Sequence, residues 1–196
     1  MGDGHASRLC ILAVIGILFG CKDKNAATAE NFERALQIYY DAHSTCITLP
    51  ITFPIARDST TNGQIRHQIE GLIGAGLVAR SPFPDGSNDI RFVVTAEGQR
   101  DLRSPRDSFL GGTDLCFARR HVTGIASFSQ PADMMGLKVS QVTYSYEFKD
   151  IAPWAKKSPI RQTFPQIAAM LAQPSNTAME GLVLTDHGWV DEHQIH

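Results

Sequence analysis

Beyond residue 20 the apolar positions of this chain fall into alternating helical and strand periods, and an apolar run at 9–20 precedes them. Phe32, Ala35, Leu36, Tyr39 and Tyr40 recur at three and four, which predicts an amphipathic helix over 28–43. Pro50 and Pro54 exclude a continuing helix and predict an extended segment within 41–55. Ile65, Ile69, Leu72 and Ile73 share one face of a second helix at 64–75, with Gly74 and Gly76 marking its end. Short strands are expected at 77–80 and 90–95 about the turn residues Pro84-Asp85-Gly86, followed by a short helix at 96–102.

The second half has more strand period. Residues 115–128 supply one or two strands broken near Gly124. Val142, Tyr144, Tyr146 and Phe148 alternate with Thr143, Ser145, Glu147 and Lys149, the pattern of a half-buried antiparallel strand. Ile151 and Trp154 are expected to enter the core beyond it. Ser158-Pro159 reads as a helix cap and first helical residue, and Pro165 divides two short helices at 158–164 and 165–172. A polar loop at 173–178 and a short final strand at 182–184 complete the pattern. The fold class expected is α+β.

Without residues 1–20 the 196-residue chain is still long enough for one good core or two small domains. Net charge is −2, and no basic stripe marks a nucleic-acid surface. The chain has four cysteines. Cys10 lies in the apolar run, and Cys21 follows it directly.

A charged start at Arg8, an apolar core and the small residue Gly20 read as a secretory signal peptide. The run is too short for a spanning helix, which needs roughly 20 apolar residues. With Cys21 next, Leu18-Phe19-Gly20-Cys21 resembles a bacterial lipobox. That resemblance implies removal of residues 1–20, a diacylglycerol thioether on Cys21 and a further acyl chain on the new amino terminus. Membrane attachment then comes from lipid, and the first residues, 21–27, form a polar tether. Lys22 is not the aspartate that retains such proteins in the inner membrane of enteric bacteria, so the outer membrane, facing the periplasm, is expected.

Export leaves Cys46 and Cys116, which in an oxidising compartment have only each other. Their bridge would close a loop of about 70 residues and contribute on the order of 4 kcal/mol. The alternatives are two buried free thiols or a catalytic thiol, and the sequence offers no histidine-centred setting for the latter.

Leu72-x-x-x-Gly76-Leu77-Val78, a hairpin and Val94-Thr95-x-x-Gly98 resemble the recognition helix and wing of winged-helix domains, over about residues 60–103. The resemblance implies DNA binding, but Arg66, His67, Gln68 and Glu70 offer one firm positive charge offset by one negative. A DNA reader needs phosphate-neutralising cations there, so a winged-helix-like scaffold without a nucleic-acid partner is expected. On this reading 28–104 is a winged-helix-like unit, 105–190 a β-rich unit and 191–196 a flexible tail.

Candidate chemistry is sparse. Arg119-Arg120-His121 forms the one tight basic cluster, a candidate contact for an anionic ligand or partner. Asp58-x-Thr60-x-Asn62-Gly63 begins like a calcium loop but places Ile69 where the bidentate glutamate belongs. The glycines at 71, 74 and 76 lie within and after a helix, unlike a phosphate loop. His187, His193 and His196 are irregularly spaced, so no metal or other cofactor is assigned. No nucleophile elbow or metalloprotease motif is present, and no catalytic residue is assigned. Asn31-Phe32, Cys46, Gly76-Leu77-Val78, Asp114-Leu115-Cys116, Val142-Thr143-Tyr144, Trp154-Ala155, Phe164-Pro165 and Leu184-Thr185-x-x-Gly188-Trp189 are similar to a group of Gram-negative bacterial lipoproteins with no assigned activity. That similarity implies lipidation and the two-cysteine framework. The expected role is non-enzymatic docking of an envelope protein; the alternative is a small-ligand or glycan binder using Arg119, Arg120 and the aromatic strand.

Overall fold

The computed structural model describes residues 23–85, 89–105 and 111–195. The apolar leader at 1–20 and Cys21 lie outside the described residues. Helix α1, Ala29–Ala42, starts where the Thr28 hydroxyl accepts from Asn31 N at 3.3 Å. It buries Phe32, Ala35, Leu36 and Tyr40, the stripe expected from their spacing. Strands β1, Thr45–Leu49, and β2, Ile55–Ala56, follow, then a 3-10 turn at Arg57–Ser59.

Helix α2, Gly63–Ala75, is capped by Asn62, whose side chain accepts from Gln64 N and Ile65 N. Gly76, at φ 86°, ends it, and Leu77 N returns to Leu72 O at 3.0 Å. Strands β3, Val78–Pro82, and β4, Ile90–Val94, pair with each other, and β2 adds to β4, giving a three-stranded antiparallel sheet. In place of the helix expected at 96–102, a 3-10 turn at Gly98–Arg100 leads into β5, Leu102–Arg103. The cause is a contact with the end of α2: Thr95 Oγ1 donates to Gly76 O at 2.8 Å and accepts from Gly98 N at 3.0 Å. A Cβ at Gly98 would collide with the Leu77 carbonyl, so the turn is tied against the end of α2.

The second sheet holds β6, Thr113–Phe128, β7, Ala132–Met134, and β8, Leu137–Lys149. A 3-10 turn at Pro153–Lys156, helices α3, Ser158–Thr163, and α4, Pro165–Ala172, then strands β9, Asn176–Thr185, and β10, Gly188–Asp191, complete the chain. Its order is β1-β6-β8-β9-β10, with β5 against β6 and β7 against β8. Gly124 does not break β6 but sits at a register shift against β8. A separate shift between β1 and β6 lets Cys46 and Thr45 partner Cys116 and Ala118, so Phe117 is the extra residue. That bulge explains why Leu115, Cys116, Phe117 and Ala118 are all buried although strict alternation would expose two of them.

Several boundaries differ from expectation. Ser158 is the first helical residue of α3 and Lys157 its cap, without a side-chain bond, because Lys157 is still held by the preceding turn through Trp154 O. The loop expected at 173–178 ends early, since β9 pairs with β8 from Asn176 onward. The described part of the tail expected at 191–196 is ordered: Asp191 is fully buried and its carboxylate accepts from His193 N at 3.0 Å, opening a 3-10 turn at Glu192–Gln194. The polar tether docks from Asp23 onward. Asn31 Nδ2 donates to Asp23 O and Ala26 O, both at 2.8 Å, and Trp189 Nε1 donates to Asn25 O at 3.1 Å.

Two apolar clusters form the core. One gathers Leu72, Leu77, Leu115, Phe117, Trp154, Ile160 and Phe164 beneath α2, α3 and α4. The other packs Phe32 and Leu36 of α1 on Val122, Val142, Tyr144, Leu182 and Trp189. Both draw residues from either side of position 104, where the sequence pattern divides the chain. Phe148 packs against both.

Candidate functional site

Cys46 and Cys116 occupy paired positions on β1 and β6 and are joined by a disulfide across 70 residues of chain. The basic run that follows Cys116 divides. Successive residues of a strand point to opposite faces, so Arg119 and His121 are exposed while Arg120 turns toward α1, its side chain 23% exposed.

There Arg120 is the centre of a polar network. Its Nη1 donates to the Tyr144 hydroxyl at 2.7 Å and the Tyr40 hydroxyl at 3.0 Å. The guanidinium lies 4.7 Å from the Tyr146 ring and 5.0 Å from the Tyr40 ring, a cation held between two aromatic faces. Tyr40 donates to Glu180 Oε1 at 2.9 Å, and that carboxylate stands 3.6 Å from Arg120, so cation and anion balance. Burial, then the bond to Tyr144, pushes the Tyr40 phenol far above its ordinary value. Burial also raises Tyr144, against the opposing pull of Tyr40 and Arg120. Burial opposes the Arg120 charge, but Tyr40, Tyr144 and Tyr146 outweigh it and keep the guanidinium protonated. Arg120, a candidate ligand contact in the sequence, turns its donors inward, and Tyr144 and Tyr146 are 0% and 7% exposed.

Beside this network a shallow cleft of about 190 Å³ is lined by Tyr39, His43, Ser44, Glu180 and His193. The Tyr39 ring stacks on His43 at 4.2 Å and on His193 at 5.9 Å. Asp191 Oδ1 holds His193 Nδ1 at 2.8 Å, and this bond favours the protonated imidazole. Glu180, Glu192 and His193 each bring a ligand atom within 4.8 Å of the others, so this group could hold a divalent ion. One imidazole with two carboxylates suits zinc or manganese. Glu180 nevertheless already accepts from Tyr40 and faces the Arg120 cation, which disfavours a second positive charge there. The sequence signal at the carboxy terminus omitted Glu180, which only the β9–β10 pairing brings close.

A larger open cleft, about 550 Å³, lies between α2 and the three-stranded sheet. Arg57, Asp58, Arg66, Glu70 and Arg80 line it, with Phe92 also on its wall. Arg80 grips both carboxylate oxygens of Glu70 at 2.6 Å, and Arg66 donates to Thr61 O at 3.2 Å. The calcium-like run is occupied by local structure here: Thr60 donates to Arg57 O and Asn62 caps α2. Gly71 and Gly74 pack against Thr163 and Pro159 of α3, which accounts for the glycines in α2 without a phosphate. Arg119 lines a third cleft, about 320 Å³, with Asp101, Arg103 and Asp150.

No protein-family model matches the chain, and no curated protein or solved structure does either. Among the described residues no helix is long and apolar enough to cross a membrane.

Proposed function

We propose that this is a lipid-anchored cell-envelope protein with a non-enzymatic role, which docks a partner protein through the α2 cleft, as an inhibitor or immunity-type partner would. Cys21 carries the lipid on this reading, and the outer membrane, facing the periplasm, is its place. One observation supports it most. The described chain begins at Asp23 docked beside the β9–β10 turn, where Lys24 Nζ donates to Asp186 O at 2.8 Å, whereas α2 and its sheet pack around Leu115 and Phe117 at the opposite end of β6. The sixteen residues of β6 at roughly 3.3 Å each separate the two ends by about 50 Å. An anchor at one end then presents the open cleft away from the membrane. The helix and hairpin that resemble a winged helix serve on this reading as a docking scaffold, with three arginines and two acids for a polar partner surface.

The ligand or glycan reading has less support, because its aromatic residues Tyr144 and Tyr146 lie in the core beneath α1. A photo-crosslinking residue in place of exposed Thr61, in the full chain expressed in its envelope, tests the docking reading. One discrete adduct, abolished by Arg66→Glu, is expected. A smear of adducts indifferent to that substitution would sink it. Mass spectrometry of the purified chain tests the anchor: acylated Cys21 with residues 1–20 absent is expected.

A further inference from the structure

Long apolar side chains crowd the tip of the β7–β8 hairpin. Met135 is fully exposed, Met134 is 61% exposed and Leu137 is 40% exposed. The turn itself is two residues long, since Met134 pairs with Leu137. Met135 and Gly136 both have positive φ, 51° and 84°. Such turns favour asparagine or aspartate before the glycine. Methionine there is conformationally disfavoured, and it places an adaptable, fully exposed apolar chain at the tip of the hairpin.

The register says what lies next to this tip. Lys138 pairs with Leu184 and Val139 with Val183, so the tip sits at the same end of the sheet as the β9–β10 turn. That turn is where the amino-terminal segment docks, with Lys24 bonded to Asp186 and Trp189 bonded to Asn25 and Ala26. Lys24, three residues after Cys21 in the sequence, therefore stands at the same end of the sheet as the exposed methionines. Among the described residues at this end Lys24 and Lys138 stand against Asp23, Asp133 and Asp186, a near balance that leaves apolar contact as the dominant chemistry.

We infer that Met134, Met135 and Leu137 form a second membrane contact, entering the headgroup–acyl boundary of the bilayer that holds the lipid on Cys21. This rests on the anchored reading above and adds an orientation to it. The acyl chains alone would hold the domain at one end and leave its tilt unset. An inserted hairpin tip beside a docked tether holds β6 upright and keeps the α2 cleft facing away.

The test uses the full, natively acylated chain in vesicles of phosphatidylethanolamine and phosphatidylglycerol. An environment-sensitive fluorophore is attached at Met135→Cys, at Met134→Cys in a second sample, and at Thr61→Cys as the membrane-distal reference. Flotation with the vesicles and the mass of the Cys21 peptide are read in the same samples. The expected result is flotation with acylated Cys21, blue-shifted emission from 134 and 135, and about twofold quenching of both by brominated lipids, consistent with a depth of about 5–10 Å. Position 61 should show neither change. If the protein floats and carries lipid but 134 and 135 behave like 61, the hairpin inference fails and the anchor stands. If Cys21 is bare and the protein stays in the supernatant, the anchored reading fails and takes this inference with it.

Discussion

The two core clusters meet at Phe148 but are held together differently. Beneath α2 and α3 the packing is almost wholly apolar, and its large polar handle, Trp154 Nε1, is satisfied by Asp101 Oδ2 at 2.8 Å. Beneath α1 the apolar shell surrounds a guanidinium, two phenols and a carboxylate. Apolar packing stabilises in proportion to area and is non-directional. A hydrogen-bonded polar network is directional and specifies one arrangement. Helix α1 makes no strand pairing, so its rotation and height on the sheet depend on such bonds. Gln37 adds another, accepting from Val122 N at 2.9 Å, beyond the point where β1 stops pairing with β6 at Ala118.

The sharpest way to separate the two clusters is by truncation. Trp154→Ala should cost about 4 kcal/mol, the range for deleting a buried indole, measured by denaturant unfolding. Arg120→Met should cost about 3 kcal/mol, because Glu180 and two hydroxyls lose their buried partner. The double variant Arg120→Met, Glu180→Met should recover part of that loss. If it is additive instead, the α1 cluster is not a coupled network and the contrast drawn here collapses.

Alkali should discriminate between them next. Tyr40 and Tyr144 have raised folded values, whereas unfolded tyrosine ionises near pH 10. Above that pH the unfolded chain has released protons that the folded chain retains. Stability is therefore fully present below about pH 10 and declines above it, by about 1.4 kcal/mol per unit for each phenol. Denaturant melts across that range check the slope, and Tyr40→Phe should flatten it. The smallest effect expected is from Gln37→Ala, about 1 kcal/mol for the lost bond to Val122 N. Amide exchange should show it as faster opening at Val122 with little change around Leu115.

Much of this architecture was legible in local pattern. The stripe of α1, the glycine stop of α2, the alternation of Val142 to Phe148 and the division at Pro165 all appear where the spacing put them. Misreadings occurred where tertiary contacts overrode local preference. Thr95 holds the 98–100 turn against α2, and β8 recruits Asn176 into a strand. Phe117 is the extra residue of a bulge, which no period reveals. Arg119, Arg120 and His121 looked like one basic patch, yet the strand sends their side chains to opposite faces.

Sequence alone determined what depends on neighbours a few residues apart: helix faces, the glycine stop of α2, turns, the count of cysteines and the α+β character. Tertiary structure decided which of them act together. Glu180 reaches Tyr40 across 140 positions, Arg120 reaches Tyr40 across 80, and Lys24 reaches Asp186 across 162. Such pairings depend on strand order and register, which are fixed by how whole faces bury apolar area rather than by any short stretch of chain.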